Sequence, residues 1–184
     1  GELGDIYIND AFSCSHRKQS SIHKITKFID KCYAGPLLKK EIDAINLVIK
    51  NKKEPVTCII GGSKISTKIN VITSLIEKIN NLIIVGAMAN NFFIYNDYSI
   101  GKSLVESNTS DIIKKIYDQA KKNNCEIIIP EDCVVGTSFD GKGKNKNLKQ
   151  IKEKEIILDI GFDTIKKIEE VIDQSNTVLW NGPA

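Results

Sequence analysis

The sequence predicts an α/β protein whose core is a doubly wound, mainly parallel sheet. Three observations carry that expectation. Short β-branched runs recur along the 184 residues, longer segments with a helical apolar period separate them, and the two kinds alternate. Strands buried on both faces read as near-continuous apolar runs, and strand–helix alternation is how a sheet covered on both sides is written.

In chain order the expected strands are Ile6–Asn9, Val56–Ile60, Leu82–Val85, Glu126–Ile129, Ile156–Asp159 and Thr177–Trp180. Ile65, Ile69, Ile72, Ile76 and Ile79 stand at spacings of four, three, four and three, a single stripe on a helix that would follow directly on Gly61–Gly62. Ile112, Ile116 and Ala120 repeat the pattern, as do Ile165, Ile168 and Ile172. Asp111 and Asp163 sit at the expected N-terminal ends of those two helices, where a carboxylate can accept from unpaired backbone N–H groups.

Two segments stand apart. Leu38, Ile42, Ile45 and Ile49 mark a helix face over Leu37–Lys50, broadened by Leu37, Ala44, Leu47 and Val48 and entered through Gly35–Pro36. It leaves through the polar stretch from Asn51 to Pro55. Such a helix either bridges two domains or lies on the periphery of one. The stretch Gly136–Gln150 (GTSFDGKGKNKNLKQ) is rich in Gly, Lys and Asn, a composition that predicts a mobile loop.

Composition excludes several classes. Hydrophobic residues make up 41% of the chain, enough for a core. The longest apolar runs, such as Leu82–Val85 and Ile127–Ile129, are too short to span a bilayer, so no membrane partner is expected. The first residue is Gly1 and no charged-then-apolar leader follows, so no signal peptide is expected. Cys14, Cys32, Cys58, Cys125 and Cys133 include no CxxC pair, and Cys58 and Cys125 lie in or beside apolar runs. That suits reduced thiols in a cytoplasmic protein. A net charge of +3 is too small to point to nucleic acid.

The candidate chemistry is positional. Gly61–Lys64, Gly86–Met88, Pro130–Asp132, Ile160–Gly161 and Asn181–Pro183 follow expected strands, and ligands of open α/β sheets bind outside the carboxyl ends of strands. The five ends are expected along one crevice. The strongest element is Gly61–Lys68 (GGSKISTK). Two glycines permit close backbone approach, and a helix start behind them would offer free N–H groups and a positive dipole end. Lys64 and Lys68, four apart, would project from one face of the first turn and repel unless an anion lay between them. This reads as a phosphate site, although neither the Walker A pattern nor a G-x-G-x-x-G fingerprint is present. Arg17, beside His16, offers a planar fork for carboxylate or phosphate oxygens. No Ser/His/Asp triad, HExxH motif or metal-ligand cluster appears.

Taken together, Ile6–Phe12 (IYINDAF) with His16–Arg17, GGSKISTK at Gly61–Lys68, GAMAN at Gly86–Asn90 and WNGP at Trp180–Pro183 resemble phosphoglycerate kinase, in that family's order and over the whole length. The resemblance implies a Rossmann-like, two-domain, monomeric cytoplasmic kinase of glycolysis. It would move a phosphoryl group reversibly from 1,3-bisphosphoglycerate to ADP, giving 3-phosphoglycerate and ATP, with Mg²⁺ carried by the nucleotide. Residues 1–35 would end the N-terminal, phosphoglycerate-binding domain, 36–51 would be the interdomain helix, and 52–184 an incomplete nucleotide-binding domain. Arg17 would serve the phosphoglycerate side and the transferred group. Lys68 would contact the nucleotide phosphates, with Lys64 in the transfer and Gly62 and Ser63 beside the phosphates and ribose. Gly86 and Ala87 would belong to the adenine wall, and Asn181 and Pro183 to the rest of the nucleotide pocket.

There are departures from the family pattern. Val85 replaces the first small residue of the adenine wall and is expected to narrow or reshape the base pocket. The Asp-Asn pair, most of the basic substrate cluster, the acidic nucleotide residue and the later glycine-rich loop are absent, so no metal ligand can be named. The chain is therefore expected to be a fragment truncated at both ends and inactive alone. The alternative is a non-catalytic α/β nucleotide-binding or interaction module.

Overall fold

The computed structural model describes residues 2–50 and 52–184, without the side chains of Val48 and Ile49. Gly1, Asn51 of the expected linker, and those two positions of the expected helix face therefore lie outside the described residues. The chain forms two compact units, one ending at Lys52 and one running from Lys53 to Ala184.

In the first unit β1 (Ile6–Asn9) pairs in parallel with β2 (Lys31–Ala34), a strand whose exposed, mixed sequence carries no periodic signal. Helix α1 (Pro36–Lys50) begins with proline in its first turn. Its N-terminus is held from a distance: Asp10 Oδ1 accepts from the Leu38 N–H at 2.8 Å, and the Gly35 N–H donates to Asn9 O at 2.7 Å. A Cβ on Gly35 would overlap the Asp10 side chain, so the glycine and the acid are fitted to each other. The IYINDAF motif thus has a structural duty before any other. On the described part of the helix face Leu38 is buried, whereas Leu37, Ile42 and Leu47 are exposed.

The second unit is built on β3 (Val56–Ile60), buried at all five positions. After it come α2 (Ile69–Ile76), β4 (Asn81–Ile84), α3 (Ala89–Tyr95), α4 (Ser110–Lys122), β5 (Glu126–Ile128), β6 (Asp132–Gly136), β7 (Lys144–Asn147), β8 (Ile156–Ile160), α5 (Phe162–Asp173) and β9 (Thr177–Asn181). The main sheet is parallel in the order β5-β4-β3-β9. Alternation along its strands divides the core. Cys58, Ile60, Leu82 and Ile84 pack with Ile72, Met88, Phe92, Ile113 and Ile116 of the α2–α4 layer, while Ile59, Ile83 and Ile128 pack with Ile168 of α5. Helices therefore cover both faces, as the near-continuous apolar strands predict. No helix among the described residues is long and apolar enough to cross a membrane.

A smaller sheet, β7-β6-β8, is antiparallel throughout. It corrects two expectations. The strand at 156–160 is no member of the parallel sheet. The segment 136–150 is no featureless loop: it closes a β6–β7 hairpin and ends in a short 3-10 turn whose Leu148 is buried. Composition misleads here because β7 is Lys-Asn-Lys-Asn, an edge strand ordered by ladder bonds rather than by apolar burial.

A third correction concerns helix entry. Asp163 does not cap α5; Asp132 does. Its Oδ1 accepts from the Thr164 N–H at 2.8 Å and its hydroxyl at 2.6 Å, and its Oδ2 accepts from the Asp163 N–H at 3.1 Å and from Asn145 Nδ2 at 2.8 Å. Asp111 likewise lies in the first turn of α4 without serving as its N-cap, which is Thr109.

Burial alone would raise the Asp132 carboxyl, but these hydrogen bonds from Thr164, Asn145 and Asp163 outweigh it and hold the group below its ordinary value of 3.8. A depressed carboxyl stabilises the fold above its ordinary value, and that stabilisation is lost as pH falls through the lower folded value. Asp132→Ala should cost about 3 kcal/mol in chemical denaturation at neutral pH, because four donors lose their acceptor at once. Asp163→Ala should cost no more than about 1 kcal/mol, the worth of a first-turn acid. Equal losses would show that the cap is wrongly assigned.

Candidate functional site

Three strand ends of the main sheet meet backbone to backbone. The Gly61 N–H donates to Asn181 O at 2.9 Å, and the Met88 N–H donates to Gly62 O at 2.6 Å. A Cβ on Gly61 would overlap the Pro183 carbonyl oxygen, and one on Gly86 would lie 2.8 Å from the same atom. Gly86 also has φ +65°, in the left-handed region that side chains disfavour. The glycines after β3 and β4 are therefore required by close approach as well as by the turn.

Lys68 folds back over this junction. Its Nζ donates to Gly61 O at 3.1 Å and to Asn181 Oδ1 at 2.8 Å, both neutral oxygens. The segment that carries it corrects the expected geometry: α2 begins at Ile69, so Lys64 and Lys68 do not share a first helical turn. Residues 65–68 form a turn instead. Thr67 Oγ1 donates to Lys64 O at 3.0 Å, and the carboxylate of Glu106 accepts from both the N–H and the hydroxyl of Ser66. Those bonds, with a weaker pull from Lys64, hold Glu106 below its ordinary value. Ile65 is fully buried nonetheless, so the apolar stripe extends past the end of the helix that it predicts. Lys64 and Ser63 are exposed.

Beside the junction lies a cleft of about 230 Å³. Gly86 and Ala87 form part of its wall, with Asn90, Leu104, Phe139 and Leu158 among the other lining residues. Pro130 and Ile160 line it too. The expected crevice of five strand ends is only partly gathered here: four of the ends follow strands of the parallel sheet, β3, β4, β5 and β9, but the cleft itself is lined by those at Gly86, Ala87 and Pro130 and by Ile160, which enters from the antiparallel sheet.

The structure joins Gly62, Lys68, Gly86, Asn181 and Pro183 in one place and sets Ala87 in the adjoining wall. Arg17 belongs to the first unit, where it is exposed and its N–H donates to Cys14 O at 3.0 Å. Val85 does not narrow the cleft. Its side chain points to the opposite face of the sheet, packing with Ile59, Ile83 and Ile168, because strand alternation turns it away from Gly86. Leu104, Phe139, Leu158 and Glu106 were not foreseen. Only Phe139, a lone aromatic in a Gly- and Lys-rich segment, carried a signal; it is 79% exposed at the cleft.

The nearby thiols are packing groups. Burial, with a smaller contribution from Cys125 and against an opposing one from Lys68, pushes the Cys58 thiol up to about 12. Burial does the same to Cys133, also to about 12, and Asp132 and Asp159 add to it. Neither is a thiolate nucleophile near neutral pH.

Comparison with known proteins gives a consistent result. The family model for phosphoglycerate kinase matches residues 1–184. Curated phosphoglycerate kinases are similar to this chain: that of Wolbachia pipientis subsp. Culex pipiens is 46% identical over 182 residues, covering 98% of this chain and 46% of the relative. That of Bartonella bacilliformis is 40% identical over 184 residues, covering 99% of this chain and 46% of the relative. A solved phosphoglycerate kinase from Coxiella burnetii matches with a TM-score of 0.84 at 36% identity, over 99% of this chain and 47% of that one. One from Pyrococcus horikoshii OT3 matches with a TM-score of 0.76 at 24% identity, a likeness of fold. The chain spans about half the length of the curated relatives it matches.

The junction makes a sharp demand on Gly61. Gly61→Ala should destabilise the second unit by more than about 3 kcal/mol, because the new methyl meets backbone rather than a side chain that can move. Ser63→Ala, at an exposed position two residues on, should change stability by less than about 0.5 kcal/mol. Thermal melting of both variants checks this, and a Gly61→Ala protein as stable as the parent would refute the close approach.

Proposed function

The chain belongs to the phosphoglycerate kinase family, and from that premise we propose that its second unit holds an adenine nucleotide across the three-strand junction. The nucleotide phosphates lie against Lys68, Lys64 and the backbone of Gly62 and Ser63. The base enters the cleft along Gly86 and Ala87, and Asn181 and Pro183 complete the pocket. Arg17, on the first unit, serves phosphoglycerate and the transferred group. The whole protein would move a phosphoryl group reversibly from 1,3-bisphosphoglycerate to ADP, giving 3-phosphoglycerate and ATP, with Mg²⁺ arriving on the nucleotide as part of the substrate.

One observation carries this reading. The Lys68 ammonium is partly buried at the junction and bound to two neutral oxygens. An ammonium has three donors, so one is left to reach an anion, and its charge is not cancelled by either partner. Phosphoryl transfer asks little covalent chemistry of a protein. It asks for positioning and for positive charge around the moving group. Lys68 supplies charge at a fixed point because Gly61 O and Asn181 Oδ1 hold its rotamer, whereas exposed Lys64 supplies charge that can follow the phosphate.

The buried thiols of Cys58, Cys125 and Cys133 support a reducing, cytoplasmic setting. We read the protein as a monomer acting on small molecules, with neither nucleic acid nor membrane as partner.

Titration of the 184-residue chain with Mg–ADP, followed by backbone amide NMR, tests the site. Shifts should centre on Gly62, Ser63, Lys68, Gly86, Ala87 and Asn181. Lys68→Ala should weaken binding by about tenfold or more, the worth of a charge-assisted hydrogen bond. Lys121→Ala, in the last turn of α4, should leave affinity unchanged. Shifts confined to other parts of the unit, or a silent Lys68→Ala, would overturn the assignment.

A further inference from the structure

Ser66 stands between Lys64 and Lys68, and the acid that binds it lies 40 residues further along the chain. Glu106 belongs to the stretch between α3 and α4, and its carboxylate accepts from both the N–H and the hydroxyl of Ser66. The acid is itself held from behind. Its N–H donates to Asn91 Oδ1 at 3.1 Å, and the Thr109 hydroxyl donates to the same oxygen at 3.3 Å. Asn91, 1% exposed, uses its other arm on the junction: Nδ2 donates to Met88 O at 3.1 Å, and the Met88 N–H donates to Gly62 O at 2.6 Å.

These bonds close a circuit. It leaves the chain at Gly62, runs through Met88, Asn91 and Glu106, and rejoins the chain at Ser66. Segment 62–66 is therefore held at both ends through one buried amide, which serves both because it donates with one arm and accepts with the other. Ser63 and Lys64, between the two ends, are exposed. Local structure supplies less: α2 begins at Ile69, and Lys68 at its N-cap makes no side-chain cap bond.

Charge argues against an acid at this point. The hydrogen bonds from Ser66, with a weaker pull from Lys64, hold the Glu106 carboxyl below its ordinary value, so it is ionised at neutral pH. A negative charge beside lysines that serve an anion weakens their attraction for it. The service Glu106 renders the site is geometric.

Resting on the nucleotide reading above, we infer that Glu106 is a positioning residue of the phosphate site: carried by Asn91, it pins Ser66 and so sets the backbone of 62–66 and the Lys68 ammonium where the nucleotide phosphates lie. With the turn at 65–68 in place, Lys68 Nζ reaches Gly61 O and Asn181 Oδ1. Released from the pin, Ser66 is free to join α2, and a further helical turn carries Lys68 away from the junction.

The test is a double-mutant cycle on Mg–ADP affinity, measured by calorimetry on the 184-residue chain and followed by amide NMR. Glu106→Ala should weaken binding by about fivefold or more, although it removes a negative charge from an anion site. Glu106→Gln still accepts from the Ser66 N–H and pairs with its hydroxyl, so it should bind no more than about twofold weaker than the parent. Lys68→Ala, expected to cost about tenfold in the parent, should cost no more than about twofold in Glu106→Ala, because the ammonium is already displaced. Backbone shifts at 65–68 should move toward helical values in Glu106→Ala and stay in place in Glu106→Gln.

An acid that only stabilises the fold would leave the Lys68→Ala effect undiminished, and that result overturns the inference. So does an affinity in Glu106→Ala equal to the parent's or tighter, or a loss in Glu106→Gln as large as in Glu106→Ala. If Mg–ADP shifts Gly62 and Lys68 in the parent while the cycle shows no coupling, the positioning role falls and the nucleotide site stands. If Mg–ADP shifts neither residue in the parent, both readings fall. Should Glu106→Ala not fold, Glu106→Asp takes its place in the cycle with the same expected coupling, since its carboxylate is one methylene short of Ser66.

Discussion

The second unit is organised around a close approach of three backbones at the Pro183 carbonyl oxygen. Gly61, Gly86 and Gly182 stand where β3, β4 and β9 end, and a Cβ at any of them would press on the backbone of a neighbouring segment. Because the strands are parallel, their carboxyl ends are brought to one edge, and glycine lets them touch rather than splay. Everything proposed for the site depends on that contact. It fixes Gly61 O and Asn181 as the two anchors of Lys68, and it sets Gly86 and Ala87 against the open cleft.

A second theme is that acids distant in sequence hold the turns. Asp10 accepts from the first turn of α1, Asp132 from that of α5, and Glu106 from the turn at Ser66. At α5 a local acid, Asp163, stands in the first turn and does not serve as the cap. A cap contributed by another segment satisfies the orphan donors and also ties two elements together, so helix entry and tertiary packing become one event. The turn at 65–68 shows the consequence. Glu106 holds Ser66 outside the helix, α2 starts late, and Lys68 is free to fold back instead of projecting with Lys64.

Electrostatics and packing divide the labour at the site. The apolar layer beneath it keeps its thiols neutral, so charge resides in the lysines above. Their partners contrast: Lys68 is bound to neutral oxygens, while the carboxylate nearest Lys64 is committed to backbone and hydroxyl donors of Ser66. The cleft adds the polar side chains of Asn90 and Asp159 to walls that are otherwise mostly apolar. A few placed polar atoms on an apolar surface are what allow a pocket to orient a ligand.

Much of this was legible in the chain itself. Val56–Ile60 and its neighbours announced buried parallel strands because apolar side chains on both faces leave no alternation, and the isoleucine stripes announced the helices that cover them. The glycine pair, Lys68 and the WNGP segment marked the strand ends that matter. What sequence could not decide was set by contacts between distant residues. The β6–β7 hairpin is ordered by ladder bonds that a Lys-Asn composition conceals, and β2 by pairing with β1. Val85 was misread because its direction depends on which strand face Gly86 leaves open. Asn90 was legible only as the end of the GAMAN motif: next to Asn91 it is one of two identical amides, and only the carbonyl of Leu104 settles that its oxygen is the one without a partner among the described residues. Local periodicity is a property of the chain, whereas the satisfaction of a buried polar atom is a property of its neighbours.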